Sequence, residues 1–203
     1  MPELVGGALC LDFVNTVDPR HAANRYDYLP NYDSLAAWAR HAGALGPAEA
    51  KALMEEAKRK PVRAREVLRH ALRFREALYE LFAGTIKRQP PSRAALDVFN
   101  HELQAAFGRS AVALQHRDFV LGWAGDKREL DRVLWPVVHS ALVLLTEGPL
   151  DRVRECPGPG NCGWLFLDLS RNATRRWCDM RTCGNRVKAH RHYARIRRLS
   201  VPR

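Results

Sequence analysis

The sequence lacks any apolar run near the ~18 residues that a membrane-spanning helix needs, and it has no internal repeat or low-complexity tract. Its first residues, MPELVGGALCLDFVNTV, carry no basic segment ahead of the apolar ones, and Asp12 interrupts the apolar run. This pattern does not resemble a secretory signal. We therefore expect a cytoplasmic protein, without a membrane partner, whose thiols stay reduced.

Recognisable enzyme motifs are also missing from the sequence. It has no glycine-rich phosphate loop, and His101-Glu102 is not followed by the second histidine of a zinc protease helix. The remaining histidines have no Ser or Cys partner at a recognisable spacing. We therefore expect a protein that is not an enzyme; an enzyme with an unfamiliar motif, whose C-terminal part serves for docking, is an alternative.

Acidic residues are scarce at one end of the chain. Residues 171–203 hold 11 Lys and Arg but one acidic residue, Asp179. Residues 151–203 hold 13 Lys and Arg against 4 Asp and Glu, a net of +9, whereas residues 1–150 hold 20 against 18, a net of +2. A surface that serves only solubility mixes both signs, so this segregation favours binding to nucleic acid. A basic tail that only solubilises the protein or touches acidic membranes is the alternative.

Cysteine is rare but concentrated in the same basic part of the chain. Two close pairs, Cys156 with Cys162 and Cys178 with Cys183, are separated by residues 163–177. Pro and Gly in the first pair favour a tight turn that directs both sulfurs to one point. Two such pairs supply the four soft ligands of tetrahedral zinc, and a closed set of four thiolates indicates a structural ion. Disulfides are the alternative, which reduced thiols disfavour. Cys10 lies among apolar residues and is expected in the core.

The first part of the chain is predicted to be mainly helical. Apolar periodicity, caps and prolines predict helices from Asp33 or Ser34 to Ala42, Pro47 to Lys60, Pro61 to Lys87, Ser92 to Phe107, and 127 to 147 with a kink at Pro136. Alternating apolar residues between 112 and 123 predict a hairpin, and residues 1–17 fit a strand or an early helix. The expected domains are 1–149, helical, and 150–203, which we call the four-cysteine module.

Within the four-cysteine module, Trp164 to Leu169 is predicted to be a strand that Arg175 to Trp177 pair with in antiparallel fashion. Gly184 is then predicted to open a helix to Leu199, which gives a treble-clef-like or zinc-ribbon-like module. Trp164, Phe166 and Trp177 supply most of its expected core. Because so small a core cannot offset chain entropy, metal is expected to carry its folding.

The four-cysteine module resembles the CGNR zinc finger, named for the residues that are here Cys183-Gly184-Asn185-Arg186. The segments CGWLFLD at 162–168, SRN at 170–172 and RWC at 176–178 also match it. The N-terminal LDFVNT at 11–16 resembles the opening of the ABATE-type domain, a stress-response regulator usually joined to this finger. The resemblance implies a bacterial DNA-binding transcription regulator with a helical first domain and the four cysteines as zinc ligands.

Candidate nucleic-acid contacts are the basic residues of the predicted turn and final helix. Lys188, Arg191, Arg195 and Arg198 recur at helical spacing, while Ala189, Tyr193 and Ile196 form an apolar face expected to pack. The full set is Arg171, Arg175, Arg176, Arg186, Lys188, Arg191, Arg195 and Arg198. DNA is the expected partner, and structured RNA is an alternative.

Asp12, Asn15 and Thr16 form a polar cluster in an apolar segment of the first domain. These residues line a pocket for a small-molecule effector, or they make local turn and cap hydrogen bonds. The leading hypothesis is a one-component regulator whose helical domain senses a ligand or forms a homodimer, while the zinc module binds DNA.

Overall fold

The first part of the chain is helical, as predicted. The structure, a computed structural model, describes residues 1–199 apart from the side chains of Arg191 and of residues 195–199. The α-helices of this part are α1 (Leu9–Val14), α2 (Tyr32–His41), α3 (Pro47–Arg59), α4 (Pro61–Lys87), α5 (Arg93–Phe107) and α6 (Trp135–Thr146). A short antiparallel pair, β1 (Val17–Asp18) with β2 (Tyr26–Asp27), connects α1 to α2. None of the described helices is long and apolar enough to cross a membrane.

Local sequence signals determine where these helices begin. The Asn31 side chain accepts a hydrogen bond from the Ser34 N–H at 2.8 Å, so the cap precedes the residues expected to supply it. Ser92 caps α5 as predicted. Prolines lie in the first turns of α3 and α4, where the missing N–H costs nothing. Pro136 likewise starts α6 and does not kink it; a 3-10 turn, Leu130–Val133, precedes the helix.

A hairpin follows α5, as predicted, and it is unusually exposed. Strands β3 (Ser110–Gln115) and β4 (Asp118–Trp123) pair in register, with Val112 opposite Leu121 and Leu114 opposite Phe119. These four apolar side chains are 44 to 79% exposed. The hairpin is anchored at its base, where Trp123 lies 5.8 Å from Trp135 between ring centroids.

A second hairpin begins the four-cysteine module, and its pairing differs from the prediction. Strand β6 (Leu165–Leu167) pairs with β5 (Val153–Glu155), which precedes the first cysteine, and not with Arg175 to Trp177. The backbone N–H of Arg175 instead donates to the buried Asp168 carboxylate at 2.9 Å. The Asp168 side chain therefore closes the loop that follows β6, and residues 175–177 do not form a strand.

The β5–β6 hairpin is part of the main hydrophobic core. Val153, Leu165 and Leu167 are at most 7% exposed and pack with the buried residues of α1, α4 and α6. Phe166, on the opposite face of β6, packs with the four cysteines, Trp164 and Trp177. Successive side chains of a strand point to opposite faces, so β6 contributes to two cores. One face packs in the helical part, and the other packs on the four cysteines.

Candidate metal centre and nucleic-acid interface

Four thiols meet in the second core. Cys156, Cys162, Cys178 and Cys183 are all buried, and their Sγ atoms lie within 4.8 Å of one another. The Sγ–Sγ distance is 3.8 Å for Cys162–Cys178 and 3.7 Å for Cys178–Cys183. Four sulfurs bound to one zinc at about 2.3 Å would form a tetrahedron with edges of about 3.8 Å. The donor atoms therefore fit tetrahedral zinc.

The same distances argue against disulfides. All five cysteines are free thiols. A disulfide brings two sulfurs to about 2.05 Å, far closer than either of these pairs. The crowding also shifts the thiol pKa values: hydrogen bonds from Cys162 and Cys178 lower the pKa of Cys156, and those from Cys156 and Cys162 raise the pKa of Cys178. A bound cation is what would allow all four sulfurs to be thiolates at once.

The first cysteine pair lies on a tight turn between β5 and β6. The backbone N–H of Cys156 donates to the Trp164 carbonyl at 2.8 Å, and Gly163 returns a bond to the Cys156 carbonyl at 3.2 Å. Gly158 lies directly over the cluster, because a Cβ built there would be 2.7 Å from the Cys183 Sγ and 3.2 Å from the Cys156 Sγ. Only glycine therefore lets the turn approach the sulfurs this closely.

The second pair is positioned by a helical turn. Asp179 caps it by accepting the Arg181 N–H at 2.8 Å, and a π-helical turn, Met180–Gly184, carries Cys183 into α7 (Asn185–Leu199). Thus α7 begins directly at the fourth ligand position. A metal at the cluster would fix the first turn of this helix relative to the β5–β6 hairpin.

The four-cysteine module is bound to the helical part by polar contacts as well as by its shared core. Asn15 makes two hydrogen bonds of 2.8 Å to the backbone of Leu165, one through each side-chain polar atom. The Trp164 indole N–H donates to the Val17 carbonyl at 2.7 Å, and the Arg20 N–H donates to the Cys162 carbonyl at 2.8 Å. The first turn of the metal centre is therefore held by residues 15–20.

These contacts correct one expectation from the sequence. Asn15 and Thr16 are fully buried, and Thr16 donates to the Phe13 carbonyl at 2.8 Å. Asp12 accepts the Gly6 N–H at 2.7 Å, and burial raises the pKa of its carboxyl to about 6. Polar atoms of all three side chains are thus used in hydrogen bonds within the fold, and none of the three residues lines the cavities described for this structure. Hydrogen bonding is the explanation that these contacts support; it is local for Asp12 and partly so for Thr16, whereas Asn15 bonds the distant Leu165.

The candidate DNA contacts fall into three groups. Arg171, Arg176, Arg186 and Lys188 are exposed on the four-cysteine module. Arg175 is not available in this way, because its guanidinium donates to the carbonyls of Val5 and Trp177 and lies 4.5 Å over the Phe166 ring. Its assignment to DNA is therefore replaced by a structural role. The side chains of Arg191, Arg195 and Arg198 lie outside the described residues.

Helix α7 is exposed along its described length. Only Val187 is half-buried among its described side chains, and Ala189 and Tyr193, which were expected to pack, are exposed. The Ile196 side chain lies outside the described residues. The helix therefore extends from the four-cysteine cluster, and of its basic side chains the described ones, Arg186 and Lys188, are accessible to a partner.

Buried arginines are the residues that the sequence alone did not single out. Arg75 donates to both carboxylate oxygens of Asp27, at 2.9 and 2.7 Å, and Arg20 donates to Glu76 at 2.7 Å. Arg75 also donates to the Thr16 hydroxyl at 3.1 Å. Arg75 lies on α4, where an arginine usually faces solvent, and Arg20 lies in the turn after β1. Only their tertiary partners reveal these two as buried.

Comparisons with known families match both parts of the chain. Residues 7–148 match the ABATE family, described as "Putative stress-induced transcription regulator". Residues 152–196 match the CGNR zinc finger. The two ranges meet near the end of α6 and follow the order that the sequence motifs predict. No curated protein matches the chain.

Proposed function

Because the chain belongs to the ABATE family and ends in a CGNR zinc finger, we propose that it is a transcription regulator that binds duplex DNA through its four-cysteine module. The observation that carries the proposal is the exposure of the described side chains of α7 and of the nearby basic residues, with the four-cysteine cluster at the helix start. An α-helix fits the major groove, and Arg and Lys along it neutralise phosphates or bind base edges.

One structural zinc ion is part of this proposal. The four thiols would hold it, and with no open ligand position it would supply folding energy and no catalysis. We place the protein in the bacterial cytoplasm, where its thiols stay reduced, and we assign it no enzyme activity.

The test of DNA binding is selection from a random duplex pool by zinc-loaded protein at near-physiological salt. An enriched motif is expected and would establish direct readout of bases. Binding without enrichment would indicate contacts dominated by phosphate, and a parallel RNA pool would show whether RNA is preferred. The absence of any bound fraction would contradict the proposal.

Two sets of variants assign the basic residues. Arg186→Gln with Lys188→Gln should weaken DNA binding and reduce the salt slope by about 2, because two phosphate contacts are lost. Arg117→Gln, on the tip of the β3–β4 hairpin, is the matched control and should leave both unchanged. Arg175→Gln should instead lower the unfolding temperature. Equal loss of DNA affinity in all these variants would mean that the contacts are unspecific.

We also propose that a second copy of this chain covers the β3–β4 hairpin. Its four exposed apolar side chains form two cross-strand pairs on one face, and such a face is complementary to itself across a two-fold axis. Burial of this face in both copies would remove on the order of 1,000 Å² from water, near the lower limit for a specific interface. A dimer would predict a DNA motif with two-fold symmetry.

Sedimentation tests the dimer directly. The double variant Leu114→Ser, Phe119→Ser should sediment as a monomer at concentrations where the unaltered chain is dimeric. Leu169→Ser is a matched control, because Leu169 is 69% exposed but lies in the four-cysteine module. A monomeric unaltered chain at high concentration, or a dimer that survives the double variant, would refute this interface.

A further inference from the structure

A cleft of about 1200 Å³ lies on the helical part of the chain, away from the metal cluster. It is bounded by the residues before and at the start of α2, the end of α3, the middle of α4 and the start of α5. Its apolar surface comes from Ala57, Ala64, Leu68, Leu72, Ala95 and Val98. The volume exceeds what most small ligands need, so the cleft can hold one with an extended apolar body.

Five basic side chains surround this apolar surface. They are Arg25, Lys58, Arg65, Arg69 and Arg73. Within the described part of the chain, none of them has a carboxylate oxygen within 4.0 Å. Arg65, Arg69 and Arg73 recur every four residues along α4, which places them in a row on one face.

Three of the four acidic residues that line the cleft are hydrogen-bonded to other groups, and the fourth, Asp33, lies in the first turn of α2. Asp27 and Glu76 both receive hydrogen bonds from Arg75, and Glu80 accepts the Ser92 N–H at 2.7 Å. The charge left available around the cleft is therefore mainly positive. Positive groups around an apolar floor suit a ligand that is negatively charged at one end and apolar along the rest.

We propose that this cleft binds an organic anion with an apolar body, of the medium-chain carboxylate class, and that such a compound is the effector of the regulator. The effector role rests on the function proposed above; the binding site does not. Bare phosphate would leave the apolar surface of the cleft in water, whereas an anion with an apolar body would cover it.

Two residues that line the cleft are connected through hydrogen bonds to the four-cysteine module. Arg75 lines the cleft and donates to Thr16, and the preceding residue, Asn15, holds Leu165 of β6. Glu76, also in the lining, binds Arg20, whose backbone N–H holds the Cys162 carbonyl. A ligand that binds one arrangement of Arg75 and Glu76 more tightly than another would change the stability of these contacts.

Titration calorimetry of the full zinc-loaded chain tests the site with three probes: decanoate, decanamide and inorganic phosphate. Decanoate alone should bind measurably, because only decanoate has both the charge and the chain. Equal binding of decanamide, binding of phosphate with the affinity of decanoate, or no binding of decanoate would each overturn the proposal.

Variants locate the binding. Arg69→Gln with Arg73→Gln should weaken decanoate binding about tenfold or more, because charged hydrogen bonds are lost. Leu72→Ala should weaken decanoate but leave any residual phosphate binding unchanged. Arg117→Gln, on the β3–β4 hairpin, is the charge control, and Leu169→Ser, in the four-cysteine module, is the apolar control, since neither residue lines the cleft. Loss of binding in the controls and not in the cleft variants would place the ligand elsewhere and refute the site.

DNA affinity is measured separately, with and without saturating decanoate. A decanoate-dependent change that disappears in the Arg69→Gln, Arg73→Gln variant supports the effector role, and no change refutes that role. Failure to bind DNA under any condition contradicts the proposed function but leaves the calorimetric result on the cleft intact.

Discussion

The two longer hairpins of this protein differ in length and in surroundings. The β3–β4 hairpin has six residues in each strand and keeps its large apolar side chains in water. The β5–β6 hairpin has three residues in each strand, yet all of β6 is buried and serves two cores. An isolated hairpin is only marginally stable in water. The comparison shows that packing, and not the number of strand bonds, determines which hairpin holds the fold together.

Of the changes considered, metal removal should lower the stability of the fold most, through the β5–β6 hairpin. Structural zinc sites contribute about 10 kcal/mol or more of apparent binding free energy at neutral pH. Because β6 also belongs to the main core, chelation should lower the melting temperature of the far-ultraviolet helical signal as well as change tryptophan emission. A thermal transition of α-helix that is unchanged after measured zinc release would show that the two cores are independent.

The same substitution, leucine to alanine, can be made in each hairpin, so that their contributions to the free energy of unfolding can be compared. Leu165→Ala should lower the free energy of unfolding by about 2 to 5 kcal/mol, because it opens a cavity in the main core. Leu114→Ala should change it by less than about 0.5 kcal/mol, because Leu114 is exposed. Urea denaturation at protein concentrations low enough for a monomer measures both. Equal losses would contradict the structural difference between the hairpins.

Loss of the hydrogen bonds between Asn15 and β6 should change the free energy of unfolding by a smaller amount. Asn15→Ala should destabilise the fold by about 2 to 4 kcal/mol, since it leaves the buried N–H and C=O of Leu165 without partners. The control Asn31→Ala removes an exposed helix cap and should cost about 1 kcal/mol. If the Asn15 variant lost no more than the control in urea denaturation, water or another donor would be replacing the amide.

Much of the helical fold could be predicted from local signals. Pro47, Pro61 and Ser92 define where helices begin, and their geometry depends on neighbours within one turn. The clustering of the four cysteines also followed from spacing, because short loops rich in Pro and Gly leave few other arrangements. These features need little knowledge of the remaining chain.

The features that the sequence did not reveal all depend on distant partners. Strand β5 is three residues long and carries two charged residues, so it has no strand pattern of its own. Its pairing with β6 replaces the expected partner because Asp168 and Arg175 close the following loop. Asn15 likewise has an ordinary polar appearance, and its role is visible only when Leu165 lies beside it. The conformational preferences of a short segment do not show which distant segment it will pair with.

The bonds between Asn15 and Leu165 join residues that are 150 positions apart in the chain. At typical rates of synthesis, Asn15 emerges from the ribosome roughly 8 to 30 s before its partner. During that interval the nascent helical part has an open place in its core where β6 will lie. Folding is therefore completed only once the C-terminal part has been made, so the protein acquires its full stability and its four-cysteine cluster together.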